Sequence, residues 1–259
     1  MKRQTSVVLG LILGAVAALA LTANAQAQQL REEFHQTYPL TADGSVSLKN
    51  ISGAVHITTW AQNSVKVDAV KTASTQEDLS RAQIIVENSA SRVSIRTKYP
   101  ENDWGDNDGR SSASVEYNIT VPAGASLDKV SLVSGDLDIK GVQGEVRASS
   151  VSGNVNAEGL GSRADISSVS GDVKVAFNRA TANADLHSVS GDVIAVLPGD
   201  AGAEVRANTV SGDISNEFGL PVDHGQYVGS HLTGRIGNGA NSLELHTVSG
   251  DIKLRRSSM

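Results

Sequence analysis

The sequence predicts an all-β protein, a single-stranded β-solenoid of about six short coils with an N-terminal β-rich cap. The first observation is a recurring Val-Ser-Gly tripeptide, usually followed by Asp, whose serines are Ser134, Ser152, Ser170, Ser190, Ser211 and Ser249. The second is their spacing of 18, 18, 20, 21 and 38 residues, in which the last step is close to two steps with one degenerate copy. A βαβ unit takes about 30 residues, so the repeat holds short strands and tight turns instead.

The third observation is the fixed placement of apolar residues around each serine. The third residue after the serine is always aliphatic: Leu137, Val155, Val173, Val193, Ile214 and Ile252. The fourth residue before it is also apolar: Val130, Ala148, Ile166, Leu186, Ala207 and Leu245. Alternation with polar neighbours places these columns on the inner face of two strands joined by a turn. Stacking such coils about 4.8 Å apart gives a solenoid roughly 30 Å long.

The valine immediately before each serine is out of phase with this inward set. We therefore predict a bend or bulge that turns the following valines back inward: Val133, Val151, Val169, Val189, Val210 and Val248. Glycine then supplies backbone angles that are closed to other residues, and the aspartate bonds its own turn.

Residues 1–27 have the features of a secretory signal peptide. Two basic residues precede the apolar run Val7–Leu21, and small residues allow cleavage after Ala25 or Ala27. A retained membrane anchor is the alternative, but the run is shorter than the roughly 20 residues that span a bilayer. We expect an exported protein, in the periplasm or at the cell surface or outside the cell, with no stable membrane insertion after cleavage.

The remaining residues, 28–259, read as a single adhesin-like β-repeat domain. Residues 28–122 form the predicted N-terminal β-rich cap, whose longer alternating strands cover the open end of the stack, and residues 123–259 form the Val-Ser-Gly-Asp solenoid. The segment Ser74-Thr75-Gln76-Glu77 has the pattern of a capping box and predicts a short helix near 75–82.

Composition excludes several function classes. The chain of 259 residues has no cysteine, which rules out disulfides, thiolate metal sites and a thiol nucleophile. Its formal net charge of −6 argues against a nucleic-acid partner, because phosphate binding needs a basic face. We find no motif of a nucleophilic or metal-dependent hydrolase and predict no catalytic residues and no enzyme activity.

Together these motifs resemble a known family. The repeats follow an N-terminal stretch, residues 50–60, that contains Ile-Ser-Gly, and the chain closes with Gly237-Asn238-Gly239 and the final repeat at residues 243–254. In these features the sequence resembles the bacterial β-strand-repeat domain of unknown function labelled "putative adhesin". The resemblance implies an exported or membrane-tethered envelope protein with a β-solenoid-like stack, and it implies no catalytic residues.

Two sets of acidic residues are candidate Ca²⁺ sites. The aspartate column of the repeat would line one corner of the solenoid, where Asp172, Asp192 and Asp213 could supply carboxylate ligands. Simple turn formation is the alternative explanation for this column. The second set is Asp103, Asp106 and Asp108 in the most acidic loop of the sequence, where solvation alone is the alternative. Apart from Ca²⁺ we predict no cofactor.

Two further features bear on ligands. Trp104 lies within the acidic loop and is a candidate surface for stacking against a sugar. His187 and His246 share one repeat position with serine and asparagine, which indicates a solvated outer column rather than a metal site.

The sequence therefore predicts an exported, non-catalytic cell-envelope protein that acts in adhesin-like binding or scaffolding through a repetitive β surface. An extended envelope polysaccharide or a protein strand would suit that surface as a partner. Two alternatives remain open. One is a polysaccharide-acting solenoid enzyme that uses the stacked aspartates as paired acids. The other is a purely structural envelope protein with no ligand.

Overall fold

Two long β-sheets enclose a single apolar core. The structure is a computed structural model that describes residues 29–99, 113–179, 183–224 and 229–257. Within these ranges the first sheet has ten strands and the second has eleven, and the buried side chains of both form one continuous cluster. The predicted all-β solenoid is confirmed.

The N-terminal region contributes seven strands and one short helix: β1 (Leu30–Pro39), β2 (Ser45–Ser52), β3 (Val55–Trp60), β4 (Ser64–Ala73), α1 (Gln76–Arg81), β5 (Gln83–Ser89), β6 (Arg92–Lys98) and β7 (Ser114–Pro122). Helix α1 confirms the predicted helix, but its N-cap is Thr75, whose hydroxyl accepts the Asp78 N–H. The cap therefore lies one residue later than the capping box indicated. No helix in the described part of the chain is long and apolar enough to cross a membrane.

The repeat region contributes the remaining strands: β8 (Ser126–Ser134), β9 (Leu137–Lys140), β10 (Val146–Ser152), β11 (Val155–Leu160), β12 (Ala164–Ser170), β13 (Val173–Phe177), β14 (Ala184–Ser190), β15 (Val193–Leu197), β16 (Ala203–Ser211), β17 (Ile214–Asn216), β18 (Val222–His224), β19 (Ser230–Ile236), β20 (Asn241–Ser249) and β21 (Ile252–Arg256). Each coil places one strand in each sheet, and neighbouring coils pair in parallel.

The order of the coils differs from their order in the sequence. In space the coils run β6–β7, β2–β3, β8–β9, β10–β11, β12–β13, β14–β15, β20–β21 and β16–β17. The stack therefore begins inside the region predicted as a cap, and the Ile-Ser-Gly coil is its second member. The final coil lies between two earlier ones, so residues 217–240 are not a degenerate coil. They instead contribute β18 and β19, which extend the second sheet in antiparallel pairing beyond β16.

The prediction that the repeat valines turn inward is wrong. Alternation continues without a bulge to the end of each strand, so the second residue before the serine is buried and the valine after it faces outward. The six valines are 48–53% exposed. The prediction failed because the buried position holds mostly hydroxyl residues: Ser150, Ser168, Ser188, Thr209 and Thr247.

These buried hydroxyls bond to the neighbouring coil. Ser188 Oγ donates to the Gly171 carbonyl oxygen at 3.0 Å, and Thr247 Oγ1 donates to that of Gly191 at 2.9 Å. A buried polar side chain is tolerated when it is hydrogen-bonded, so this row links successive turns instead of weakening the core. Ser150 Oγ is the exception, because it is buried and finds no partner among the described residues.

The contrast between two serines gives a stability prediction. We expect Ser188→Ala to lower the free energy of unfolding by about 1 kcal/mol, because the Gly171 carbonyl loses its donor. Ser150→Ala at the equivalent position of another coil should change it by less than about 0.5 kcal/mol, since no bond is lost. Urea denaturation of both variants measures the difference. Equal losses would show that the hydroxyl row does not join the coils.

The motif aspartates also link coils. The sequence predicts that each aspartate bonds its own turn, and that prediction is wrong. The Asp172 Oδ1 accepts the backbone N–H of Asp192 at 2.8 Å, and the Asp192 Oδ1 accepts that of Asp251 at 2.8 Å. The same bond recurs from Asp136 to Asn154. The column is thus a ladder of side-chain-to-backbone bonds along one corner of the stack.

Candidate functional site

One column of aliphatic side chains lies exposed along seven neighbouring coils of the stack. We call it the valine ladder, and in spatial order it consists of Ile51, Val133, Val151, Val169, Val189, Val248 and Val210. Ile51 is 45% exposed, close to the value of the valines. With about 4.8 Å between neighbouring strands, seven members span roughly 29 Å on the outer face of the second sheet. Among the described residues these are the large hydrophobic side chains left exposed.

A polar row runs beside the ladder, two residues earlier on each strand. Cross-strand pairing places its members side by side in the order Lys49, Ser131, Ser149, Ser167, His187, His246, Asn208, His231 and Asp223. At one end Lys49 pairs with the exposed cation Arg96 of β6, three serines follow Lys49 along the row, and the far end is the carboxylate of Asp223. On the other side the ladder is bordered by the motif serines.

A groove of about 640 Å³ lies where the ladder reaches strands β18 and β19. Its apolar lining comes from the ladder members Val169, Val189, Val248 and Val210, and the His187 and His246 rings line it as well. The two imidazole rings stack with 4.9 Å between centroids and 7° between planes. This groove therefore combines aliphatic and flat aromatic surface.

The His187 and His231 side chains of the polar row lie close to polar atoms of neighbouring residues on the sheet. His187 Nε2 lies 2.5 Å from Asp185 Oδ1, and its side chain is 45% exposed, in agreement with the predicted outer column. His231 Nδ1 bonds to Asn208, and His231 Nε2 lies 2.9 Å from the Thr233 hydroxyl. The side chains at this end of the row are thus fixed in place along the groove.

The predicted Ca²⁺ ligands of the repeat lie within the aspartate ladder. Asp172 and Asp192 each have one carboxylate oxygen bonded to backbone N–H of the next coil. The backbone N–H of Asp213 donates to Asp251 Oδ1 at 3.0 Å. Lys253 Nζ lies 2.6 Å from the second oxygen of Asp192, and its hydrogen bond lowers the pKa of that carboxyl, as does the Asp251 N–H.

In the described part of the chain, no three His, Asp or Glu side chains are grouped so that they could hold a metal ion. Ca²⁺ binding by the aspartate column stays a prediction from the sequence. Asp103, Asp106, Asp108 and Trp104 lie outside the described residues, as do the cleavage positions after Ala25 and Ala27.

The model of the Toastrack family of unknown function, DUF4097, matches residues 33–255, which include every coil of the stack. The chain belongs to the Toastrack family. This confirms the resemblance that the Val-Ser-Gly repeats indicated. No curated protein matches the sequence of this Toastrack chain.

Three solved structures are similar to this Toastrack chain at low identity. A "putative cell adhesion protein" from Clostridium sporogenes is 17% identical, with a TM-score of 0.52 over 88% of this chain and 100% of its own. A "putative adhesin" from Bacteroides fragilis is 13% identical, with a TM-score of 0.44 over 86% of this chain and 96% of its own. A "putative lipid binding protein" from Parabacteroides distasonis is 11% identical, with a TM-score of 0.31 over 86% of this chain and 97% of its own. At 17% identity the first of these supports the fold alone.

Sequence reasoning missed the valine ladder as a surface feature of this Toastrack protein. A signal was present, because each valine follows a column of serines and threonines that already occupies the inward position. Strict period-two alternation from the fourth residue before the serine would have placed the valine outside.

Proposed function

We propose that this Toastrack protein is an exported, non-catalytic cell-envelope protein that binds or scaffolds, in an adhesin-like manner, through its valine ladder. The observation that carries the proposal is the ladder itself: seven aliphatic side chains in one line, each about half exposed. Single exposed aliphatic residues are common, but a contiguous apolar strip bordered by polar residues is typical of an interaction surface.

The energetics favour a covered ladder. Burying the exposed half of one valine side chain is worth about 1 kcal/mol, so a partner along the whole line gains several times that amount before the costs of association. The ladder is straight and repeats at the strand spacing, which suits an extended partner. Its side chains are aliphatic rather than aromatic, which favours a protein surface over a polysaccharide, because sugar rings stack best on aromatic faces.

The aspartate column supports a non-catalytic role over the polysaccharide-acting enzyme. Oxygens of Asp136, Asp172, Asp192 and Asp251 accept backbone N–H groups of the neighbouring coil. This gives the column a structural task on one corner of the stack.

Export is supported by the predicted signal segment, residues 1–27, and its small-residue cleavage pattern. A role in adhesion is in keeping with the description of the similar C. sporogenes protein as a "putative cell adhesion protein". Periplasm, cell surface and medium all fit these features.

Photo-crosslinking in growing cells tests the proposal. A photoreactive residue replaces Val169 at the centre of the ladder, and the matched control replaces Ile194, an aliphatic residue on the outer face of the first sheet. After irradiation we expect adducts of higher mass from position 169 and none from position 194. Protease or glycosidase treatment then tells a protein partner from a polysaccharide.

Equal adduct yields from the two positions, or none from position 169, would contradict a binding role for the ladder. That result would favour the purely structural alternative, in which the exterior of the solenoid meets no ligand.

A further inference from the structure

We propose that the partner that covers the valine ladder is the valine ladder of a second copy of this chain, packed face to face about a two-fold axis. The inference rests on the proposed function, because it names the partner of the same surface. Closed two-fold pairing is the commonest way in which identical chains associate, and it brings the same patch of both copies together.

The spacing of the ladder selects its partner. Its side chains are nearly identical and recur once per strand, so the gaps between them recur at about 4.8 Å. A facing surface interdigitates along the full length only if it has the same repeat, as in the dry interfaces between stacked identical β-branched side chains. The ladder of a second copy has the same repeat because the two chains are identical.

The borders of the ladder permit this approach. On one side lie Ser131, Ser149 and Ser167 of the polar row, and on the other lie the motif serines Ser134, Ser152 and Ser170. These serines are small and uncharged, and the row continues past Ser167 with the His187 and His246 rings. When the stacks of two copies run in opposite directions, the serines of each copy leave room for the histidine rings of the other. Sheets packed face to face lie about 10 Å apart, which leaves room for one layer of valine from each.

The charges at the two ends of the polar row select the orientation. Lys49 is exposed at one end and Asp223 is exposed at the other. If the stacks of the two copies run in opposite directions, each Lys49 faces Asn208 of the second copy, two strands from Asp223, instead of facing the second Lys49. In this arrangement Val169, the central member of seven, meets its own equivalent, and Ile51 meets Val210 of the second copy.

The area of the valine ladder sets the strength of the association between two copies. A face about 29 Å long and about 13 Å wide offers roughly 400 Å² per copy. Stable complexes bury about 800 Å² per partner, so the pair is a weak one that forms as the concentration rises. Many such contacts between neighbouring molecules on an envelope would reinforce one another.

Disulfide trapping tests the inference on the exported protein, because the sequence contains no cysteine. Each variant then carries one thiol. Under mild oxidation we expect Val169→Cys to give a covalent dimer at least tenfold faster than the control Ile194→Cys on the other sheet. Val151→Cys mixed with Val189→Cys should cross-link, since these positions flank the centre symmetrically. Val210→Cys alone should not.

Sedimentation velocity over a range of concentrations supplies the second measurement. The unmodified protein should show concentration-dependent dimers, and Val169→Asp should weaken the association at least tenfold, because two carboxylates would meet at the axis. An unchanged thermal midpoint shows that this exposed substitution leaves the fold intact.

The inference is overturned if the protein sediments as a monomer throughout, or if Val169→Cys and Ile194→Cys cross-link at equal rates. Self-cross-linking of Val210→Cys as fast as that of Val169→Cys would overturn the antiparallel orientation. If the ladder binds a partner but that partner is not a second copy of this chain, the photoreactive residue at position 169 still yields adducts with another molecule. If the proposed function is wrong as well, it yields none.

Discussion

Replacing Gly171 by alanine is expected to lower the free energy of unfolding by about 3 kcal/mol or more. Gly171 lies in the turn of a central coil with φ +145°, a backbone conformation that costs other residues about 1–3 kcal/mol. An added Cβ would also lie 2.3 Å from the Gly153 carbonyl oxygen and 2.6 Å from its carbon. Both obstacles are backbone atoms of the next coil, so relief requires the coils to separate, and overpacking of this kind costs a further 1–3 kcal/mol or so.

Gly199→Ala is the matched control for this substitution. No atom lies within 4 Å of a Cβ built at Gly199, and its backbone is outside the left-handed region. We expect no loss there, or a gain of about 0.5 kcal/mol from the reduced entropy of the unfolded chain. Urea denaturation followed by circular dichroism compares the two. A Gly171→Ala protein as stable as Gly199→Ala would mean that the turns do not need to approach so closely.

Replacing Asn50 by alanine is expected to cost about 3 kcal/mol. The side chain is 2% exposed, and its amide group donates to the carbonyl oxygens of Val115 at 2.8 Å and of Ser52 and Gly53 at 3.1 Å. Its oxygen accepts from Thr97 Oγ1 at 2.9 Å. Alanine would leave several buried polar groups without partners at about 1–3 kcal/mol each, and partial repacking limits the sum.

The network extends to Tyr117, whose hydroxyl lies 2.8 Å from Thr97 Oγ1. Burial raises the pKa of Tyr117 to about 12, so the phenol stays neutral and able to hydrogen-bond at physiological pH. The control is Asn63→Ala, at an exposed loop position, for which the expected change is within about 0.5 kcal/mol. Thermal unfolding of both variants measures the two losses of stability. A loss at position 50 no larger than at position 63 would contradict the network's role in holding the first coil.

The sequence was sufficient to predict the coil and its inner columns. The aliphatic residues that follow each turn, such as Val155 and Val173, are fully or almost fully buried, as period-two spacing requires. Local spacing predicts such features because neighbouring positions on a strand face opposite ways.

Strict alternation also places the repeat valines outward, and the burial of the hydroxyl residues beside them, such as Ser168, is explained by the hydrogen bond to Gly153 of the next coil. Two features could not be predicted from local spacing. The aspartate bonds also run between coils. The spatial order of the coils depends on which edges meet, and every coil carries the same motif, so the sequence does not distinguish one neighbour from another.

That order makes completion of the fold depend on a late segment. Residues 203–216 form their coil beyond the position of residues 241–256, yet a ribosome makes them earlier. Until residues 241–256 are made, the coil of residues 203–216 can meet the edge of β14–β15. This edge has the same turn and strand pattern as β20–β21, which is the neighbour of that coil in the folded protein. Assembly therefore cannot simply follow synthesis coil by coil, because the penultimate place in the stack is filled last. The connection through β18 and β19 provides the length of chain that lets the final coil reach that place.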